Sequence, residues 1–449
     1  MKKTIFLFGL FALILTFEYF VVTESSVSNR GSLLQYLVLF NAILFLIIYL
    51  IDPFGSFCII LSCLPFSKSL PKFEVGLITF NIYTIGMVLL FIASLIKIII
   101  SKYSIKFTFT DLFILLVSIA FLISTILSDN LIESGYLAFN FIFIPVVSYF
   151  VIRVMISNDT EYHQTIGFFL FGITILAITA FFNYLSSYQR AEPFGLFAIG
   201  AASLLIVPIY YIFYLGWYKK PFWFIALLIT IVGFIVTFSR MLFLIVLLSP
   251  LLFYIIKKHK SVLLYSVFFI LTFIITLLVS YNADLFKPKF DTHFFSEKQG
   301  IIKTEKRIFD KTHLMLSLYG RALSYKEGIE RFRRTWLSGE GLFKQEGLQT
   351  YHNFHIEWLV YGGALGYLLY LLIFLSHVTR FNRIDWQDNF VYLNLLIIFS
   401  ILCNSLTNGI MHGTMPYVIF ITMAFNESRM MLYDRVKFIN EIKEIDATS

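Results

Sequence analysis

The sequence predicts an all-α polytopic membrane protein, with about 12–14 transmembrane helices and one large extracytoplasmic loop that contains an amphipathic helix. Three observations carry that expectation. The 449 residues are 59% hydrophobic and only 14% charged, with a mean hydropathy of +0.82. A soluble chain carries roughly 25% charged residues and has nowhere to hide so much apolar surface. Apolar runs of about 17–23 residues recur along the chain, each long enough to cross a hydrocarbon core of roughly 30 Å as a helix. Lipid leaves the edges of an open sheet unsatisfied, so these runs read as helices. Finally, one polar stretch from Tyr281 to His355 interrupts the apolar pattern and holds thirteen of the 35 Lys and Arg residues.

In order, the runs lie at 4–22, 33–50, 54–66, 75–98, 111–127, 141–156, 166–185, 196–218, 222–238, 241–256, 262–281, 356–378, 390–408 and 414–431. The first follows Met1-Lys2-Lys3 but is too long for a signal-peptide core and lacks a small-residue cleavage site, so it reads as a span. The weakest is 54–66, thirteen residues between Asp52-Pro53 and Pro65, either a short span, a re-entrant piece or the end of a broken helix. Pro145, Pro208 and Pro250 mark kinks that neighbouring helices tolerate. No repeat at a fixed period and no low-complexity tract is visible.

Charge orients these runs. With 54–66 crossing and a cytoplasmic N-terminus, about seventeen Lys and Arg fall inside, against about five in short outside loops: Arg30, Lys68, Lys72, Arg190 and Arg240. That is the positive-inside bias. Without that crossing, Lys219-Lys220 and Lys257-Lys258 would lie outside. The chain therefore divides into N-terminal spans over 1–281, an extracytoplasmic loop over 282–355, C-terminal spans over 356–433 and a charged, solvated cytoplasmic tail over 434–449. The net charge of +8 belongs to this topology; no basic stripe or motif suggests nucleic acid. Cys58, Cys63 and Cys403 lie in apolar runs and offer neither a disulfide framework nor metal-ligand spacing.

Within the loop, Arg321 to Trp336 reads as the amphipathic helix, with Tyr325, Ile329, Phe332 and Trp336 forming one apolar stripe. Its basic residues, Lys326, Arg331, Arg333 and Arg334, either meet lipid phosphates at the bilayer surface or reach a phosphorylated substrate. Ser338-Gly339-Glu340-Gly341 follows as a Gly-x-Gly turn. His352-Asn353 then precedes a span containing Gly362-Gly363-Ala364-Leu365-Gly366. Each motif is weak alone; the order is less common.

In that order of motifs the sequence resembles the Wzy-type O-antigen polymerase and O-antigen ligase family of bacterial envelope glycosyltransferases. The matching pieces are Gly320-Arg321, Gly339-Glu340-Gly341, His352-Asn353 and Gly363-Ala364-Leu365-Gly366. Thr237-Phe238-Ser239-Arg240 looks like the family's Ser-Arg motif, and Arg190 to Gly195 like its Arg-containing outer loop. The resemblance covers about residues 110–425, and Lys344-Gln345-Glu346 departs from the small-residue stretch that follows the glycine turn in many relatives.

What the resemblance implies is a polyprenyl-diphosphate-linked oligosaccharide donor in the lipid bilayer, whose diphosphate leaves as the glycan moves to an acceptor hydroxyl. Developing charge on a diphosphate calls for preorganised cations, and the planar fork of Arg binds phosphate oxygens in pairs. Arg240, Arg321 and Arg190 stand at the right depth, with Arg333 and Arg334 behind them; the bland alternatives are snorkelling and headgroup contact. A sugar hydroxyl needs a base, and His352 is the natural one, with His355 the alternative. Asn353 either orients that base or caps the following helix, and Glu357 could fix the imidazole tautomer.

Scattered carboxylates and the absence of a third ligand beside His352 and His355 argue against a metal. No P-loop or dinucleotide fingerprint suggests another cofactor. Polymerisation of repeat units is the expected activity, with a chain-length regulator and a flippase as its protein partners. Transfer of finished glycan to a lipid or protein acceptor is the near alternative, and transport of lipid-linked sugars the distant one.

Overall fold

The computed structural model describes residues 30–67, 72–75, 78–101, 106–187, 191, 193, 196, 198–237, 239–257, 311–342, 351, 353–380, 388–406 and 414–448, with Gly9. Residues 30–35, 38, 72–75, 78–80, 101, 187, 240, 250–257, 311–322 and 435–448 are described through the backbone alone. Apart from Gly9, the expected spans 4–22 and 262–281 lie outside the described residues.

The first described helix, α1 (Arg30–Ile51), runs into α2 (Pro53–Ser62) across Asp52. Asp52 caps α2 by accepting from the Gly55 amide at 2.9 Å, and Pro53 suits the first helical position. Every residue of α2 from Gly55 to Ser62 is buried. Ten residues reach about 15 Å, half a hydrocarbon core, so α2 is packed inside the protein rather than bathed in lipid. Next comes a short antiparallel hairpin, β1 (Lys72–Val75) and β2 (Ile78–Asn81), paired Phe73 with Phe80. The alternation in Lys72-Phe73-Glu74-Val75 has a period of two, which suits a strand. The run expected as a span from 75 therefore begins as a hairpin, and its helix, α3, is Ile82–Ser101.

Helix α4 (Phe109–Ile126) opens on a capping box between Thr108 and Asp111. Asn130 caps α5 (Leu131–Ala138), which passes through a π-turn over 139–143 into α6 (Ile144–Met155). The run expected at 141–156 thus begins ten residues earlier, in a segment whose capping polar residues hid it from a hydropathy reading. Helices α7 (Asp159–Ser187), α8 (Ala198–Tyr214), α9 (Pro221–Ile235) and α10 (Arg240–Lys257) follow. After the loop helix α11 (Lys311–Arg334) come α12 (Phe354–Thr379), α13 (Asn389–Ser405) and α14 (Met415–Thr448). The charged tail expected as a solvated segment from 434 is a continuation of α14, so the boundary at 433 falls within a helix.

Among the described residues, five helical stretches are long and apolar enough to cross a membrane: Ile82–Ile100, Phe109–Ile126, Leu131–Met155, Asp159–Ser186 and Phe354–Thr379. Shorter apolar helices accompany them at Pro53–Ser62, Ala198–Tyr214, Pro221–Ile235 and Asn389–Ser405. The chain is an α-helical multi-pass membrane protein, and its outward side chains agree: Ile99, Ile100, Phe109 and Ile126 are all exposed on apolar helices.

Close helix contacts use small residues. A Cβ on Gly172 of α7 would sit 2.4 Å from the Ser62 carbonyl oxygen of α2, and one on Gly233 of α9 would sit 2.7 Å from Ala177 of α7. Backbones approach this closely only where side chains are absent, the usual device of membrane helix packing.

Candidate functional site

The expected span at 356–378 is not one straight helix. Gly363 has φ 66° and ψ −175°, a conformation essentially restricted to glycine, and breaks α12 in two. Residues 354 and 370 would stand about 24 Å apart in an unbroken helix. Instead the Phe354 and Tyr370 rings have centroids 5.3 Å apart, Trp358 and Tyr370 4.3 Å, and the Tyr367 hydroxyl lies 3.2 Å from His355 Nδ1. The two limbs of α12 fold towards each other in a V with Gly363 at its apex.

The Gly-x-Gly turn fills that apex. In an unbroken helix the amides of Ala364 and Leu365 would donate to the carbonyls of Val360 and Tyr361. Here Ala364 donates to the Trp336 carbonyl at 2.7 Å and Leu365 to Leu337 at 3.3 Å. In return the amides of Glu340 and Gly341 donate to Val360 and Tyr361 at 3.0 and 3.1 Å. Four backbone groups that lipid would leave orphaned are satisfied by the segment 336–341. The approach is close: a Cβ on Gly339 would meet the Tyr361 carbonyl at 2.3 Å, and one on Gly363 the Leu337 carbonyl at 2.3 Å. Ser124 of α4 completes the stitch. Its hydroxyl donates to the Tyr361 carbonyl and accepts from the Gly341 amide at 2.8 Å.

Helix α11 reaches this apex through its last turns. Its packed face centres on Gly328, whose Cβ position lies 2.5 Å from Ile356, and on Arg331. Arg331 Nη2 donates to Glu340 Oε2 at 2.7 Å, a charge-assisted bond that is 14% and 19% exposed on its two sides. Buried Tyr351 stands beside this pair; burial pushes its hydroxyl up to about 12, against the pull of the Arg331 guanidinium. Glu357 is fully buried on the first limb of α12.

Of the residues expected to act, Arg190 and His352 lie outside the described residues. Arg240 and Arg321 are described through their backbones alone, Arg240 opening α10 and Arg321 mid-way along α11. The Ala191 amide donates to the Val236 carbonyl at 3.1 Å, so the loop after Arg190 is tied to the chain just before Thr237-Phe238-Ser239-Arg240. Arg333 and Arg334 are exposed and make no ion pair among the described residues. Arg331 takes the inward position. The apolar stripe expected on this helix is divided: Phe332 is half-buried, while Ile329 and Trp336 are 46% and 58% exposed. The helix itself begins at Lys311, ten residues before the expected start.

Asn353 caps α12. Its side-chain oxygen accepts from the His355 and Ile356 amides at 2.9 and 3.1 Å, and its Nδ2 donates to the Leu406 carbonyl at 3.1 Å. Of the two roles open to it from sequence, capping is observed. Asn353→Ala should lower stability by about 1 kcal/mol, the usual cost of a lost cap. Asn353→Asp should keep most of that stability, since it retains the acceptor. Thermal unfolding of the purified protein in detergent compares them, and equal losses would mean that the Leu406 bond dominates.

Sequence reasoning passed over two features. One is the pairing of Gly339-Glu340-Gly341 with Gly362-Gly363; the adjacent glycines in an apolar run were the available signal. The other is a buried polar chain towards the opposite end of the helices. Tyr211 donates to Asn394 Oδ1, Asn394 Nδ2 to Asn426 Oδ1 at 2.8 Å, and Asn426 Nδ2 faces His377 Nε2 at 3.2 Å. His377 Nδ1 faces Glu427 Oε1 at 3.2 Å, and Arg380 also donates to Glu427. One tautomer, His377 with its proton on Nδ1, gives every bond a donor and an acceptor.

Among the described residues no three His, Cys, Asp or Glu side chains converge as a metal site. No family model and no curated protein matches the sequence of this chain.

Proposed function

We propose that the chain is a membrane glycosyltransferase of about 12–14 spans. It polymerises polyprenyl-diphosphate-linked oligosaccharide repeats into a cell-surface polysaccharide on the extracytoplasmic face of the cytoplasmic membrane. The observation that supports this reading is the stitched break. The Gly-x-Gly turn and the Gly-x-x-Gly span, which carry the family resemblance from separate places in the sequence, meet at the break in α12 beside the end of α4, and Asn353 caps the limb that leads to it. Discontinuous helices bring backbone polarity to membrane depth only where it is buried in protein or lines a cavity, and such places serve as binding sites in other membrane proteins.

In this reading the diphosphate is held by Arg240 and Arg321, with Arg190, Arg333 and Arg334 assisting. Arg331 is already neutralised by Glu340, so its part is to clasp α11 onto the apex. The acceptor hydroxyl oxygen attacks the anomeric carbon and gives its proton to His352. The carbon–oxygen bond to the diphosphate breaks, and its electron pair leaves with the phosphate. The described carboxylates do not compete with phosphate at Arg333 and Arg334, which remain exposed on the last turn of α11.

Lipid-linked products from cells carrying His352→Ala or Arg240→Ala test the proposal. Each variant should accumulate single repeat units on the lipid carrier. Long chains retained on the carrier would indicate transfer of finished glycan instead, and donor trapped inside would indicate transport. A normal product ladder in both variants would remove the assignment.

A further inference from the structure

Helices α4 and α12 pair along their length and end differently. The stitched break lies beside Ser124. Fifteen residues back along α4, at Phe109 and so about 22 Å away, a cavity of about 730 Å3 opens between Lys106–Phe113 and Leu372–Arg380. Its size falls within the roughly 300–1,000 Å3 of ligand clefts.

Two cations stand on it. The Lys106 side chain is 69% exposed, while its carbonyl is pinned by the buried Arg153 guanidinium at 3.1 Å. Arg380 is 21% exposed. Each has a carboxylate neighbour: Lys106 Nζ lies 3.0 Å from Asp434 Oδ2, and Arg380 Nη1 donates to Glu427. The Lys106–Asp434 pair is half-exposed, of a kind worth little and easily opened, and Arg380 has further N–H donors beyond Nη1. Thr108, Thr110, Ser376 and Thr379 add hydroxyls to the wall, and its hydrocarbon is turned outward, with Phe109, Leu112 and Leu375 all exposed. On helices long and apolar enough to cross a membrane, such side chains face lipid.

We propose that this cavity binds a membrane phospholipid with a phosphoethanolamine headgroup. The phosphate sits between Lys106 and Arg380, the ammonium at Asp434, and one acyl chain along Phe109, Leu112 and Leu375. A free phosphate would leave the apolar wall uncovered, and a hydrocarbon alone would leave the cations unmatched. The carboxylate at Lys106 selects a headgroup that carries both signs of charge. This site is remote from the stitched break and holds whether or not the chain is a glycosyltransferase.

Native mass spectrometry of the delipidated full-length protein in detergent, titrated with phosphatidylethanolamine, tests the assignment. The wild type should retain one tightly held lipid. Lys106→Gln should weaken it about fivefold, the effect of one basic residue at a lipid surface. Leu112→Trp, which fills the cavity from a lipid-facing position, should weaken it at least as much. Millimolar inorganic phosphate should not displace the lipid, and diacylglycerol should bind at least fivefold more weakly. Equal retention in the wild type and both variants would overturn the proposal. So would displacement by phosphate, which marks a free-anion site, or equal binding of diacylglycerol, which marks a hydrocarbon groove.

Discussion

Gly363→Ala is expected to lower stability by about 3–5 kcal/mol, enough to remove the folded protein from a membrane extract. Two costs add. The backbone at Gly363, with φ 66° and ψ −175°, is one that an L-residue adopts only under strain. The new methyl would also meet the Leu337 carbonyl oxygen at 2.3 Å and the Gly339 nitrogen at 2.5 Å, both backbone atoms with no rotamer to yield. Relief requires the turn to withdraw, which strands the amides and carbonyls that it satisfies. Gly216→Ala is the control. Gly216 has a similar φ of 70°, but its nearest obstacle is the flexible Lys219 Cε at 3.8 Å. It should cost only about 1–2 kcal/mol. Thermal unfolding in detergent, followed by size-exclusion chromatography, separates the two. Equal midpoints for both variants would mean that the stitch contributes nothing beyond backbone conformation.

How far the sequence foretells this arrangement depends on the range of the interactions involved. Hydropathy places α4, α8 to α10 and α13 within a few residues, and α3 and α7 with starts seven residues off, because a single helix crossing lipid satisfies its own backbone and needs no partner to be recognised. The V in α12 escapes that logic. Gly362-Gly363 sits in a run long and apolar enough to cross a membrane, and its break is stable only because residues 336–341, more than twenty positions away, supply the missing hydrogen bonds. The glycines are visible as motifs; their mutual fit is a tertiary fact. For the same reason Arg331 is singled out from Arg333 and Arg334 only by the position of Glu340. Asn394, Asn426, His377 and Glu427 likewise read as isolated polar residues in apolar runs until the helices are packed together.

Arg153→Met is expected to destabilise the protein by about 3–5 kcal/mol, because it breaks a fully buried ion pair from one side. Arg153 and Asp111 both have 0% side-chain exposure. The guanidinium donates to Asp111 Oδ1 and to the Lys106 carbonyl, and lies 3.4 Å from the Met431 sulfur. Asp111 retains the Tyr149 hydroxyl at 2.7 Å and the Thr108 amide at 2.6 Å, too few donors for a carboxylate deep in the protein. Asp111→Asn combined with Arg153→Met should recover roughly 2 kcal/mol, since the amide still accepts from Thr108 and no charge is left unpaired. Lys106→Gln, at an exposed pair, should change stability by less than about 1 kcal/mol. The same series reads out function. The ion pair joins α4 to α6, and the far end of α4 carries Ser124, which holds the break in α12. If the chain makes polysaccharide as proposed and the charges serve only to place α4, the single variant should lose that product and the double variant should regain it. A double variant that is stable but makes no product would instead give Asp111 or Arg153 a part in the proposed reaction.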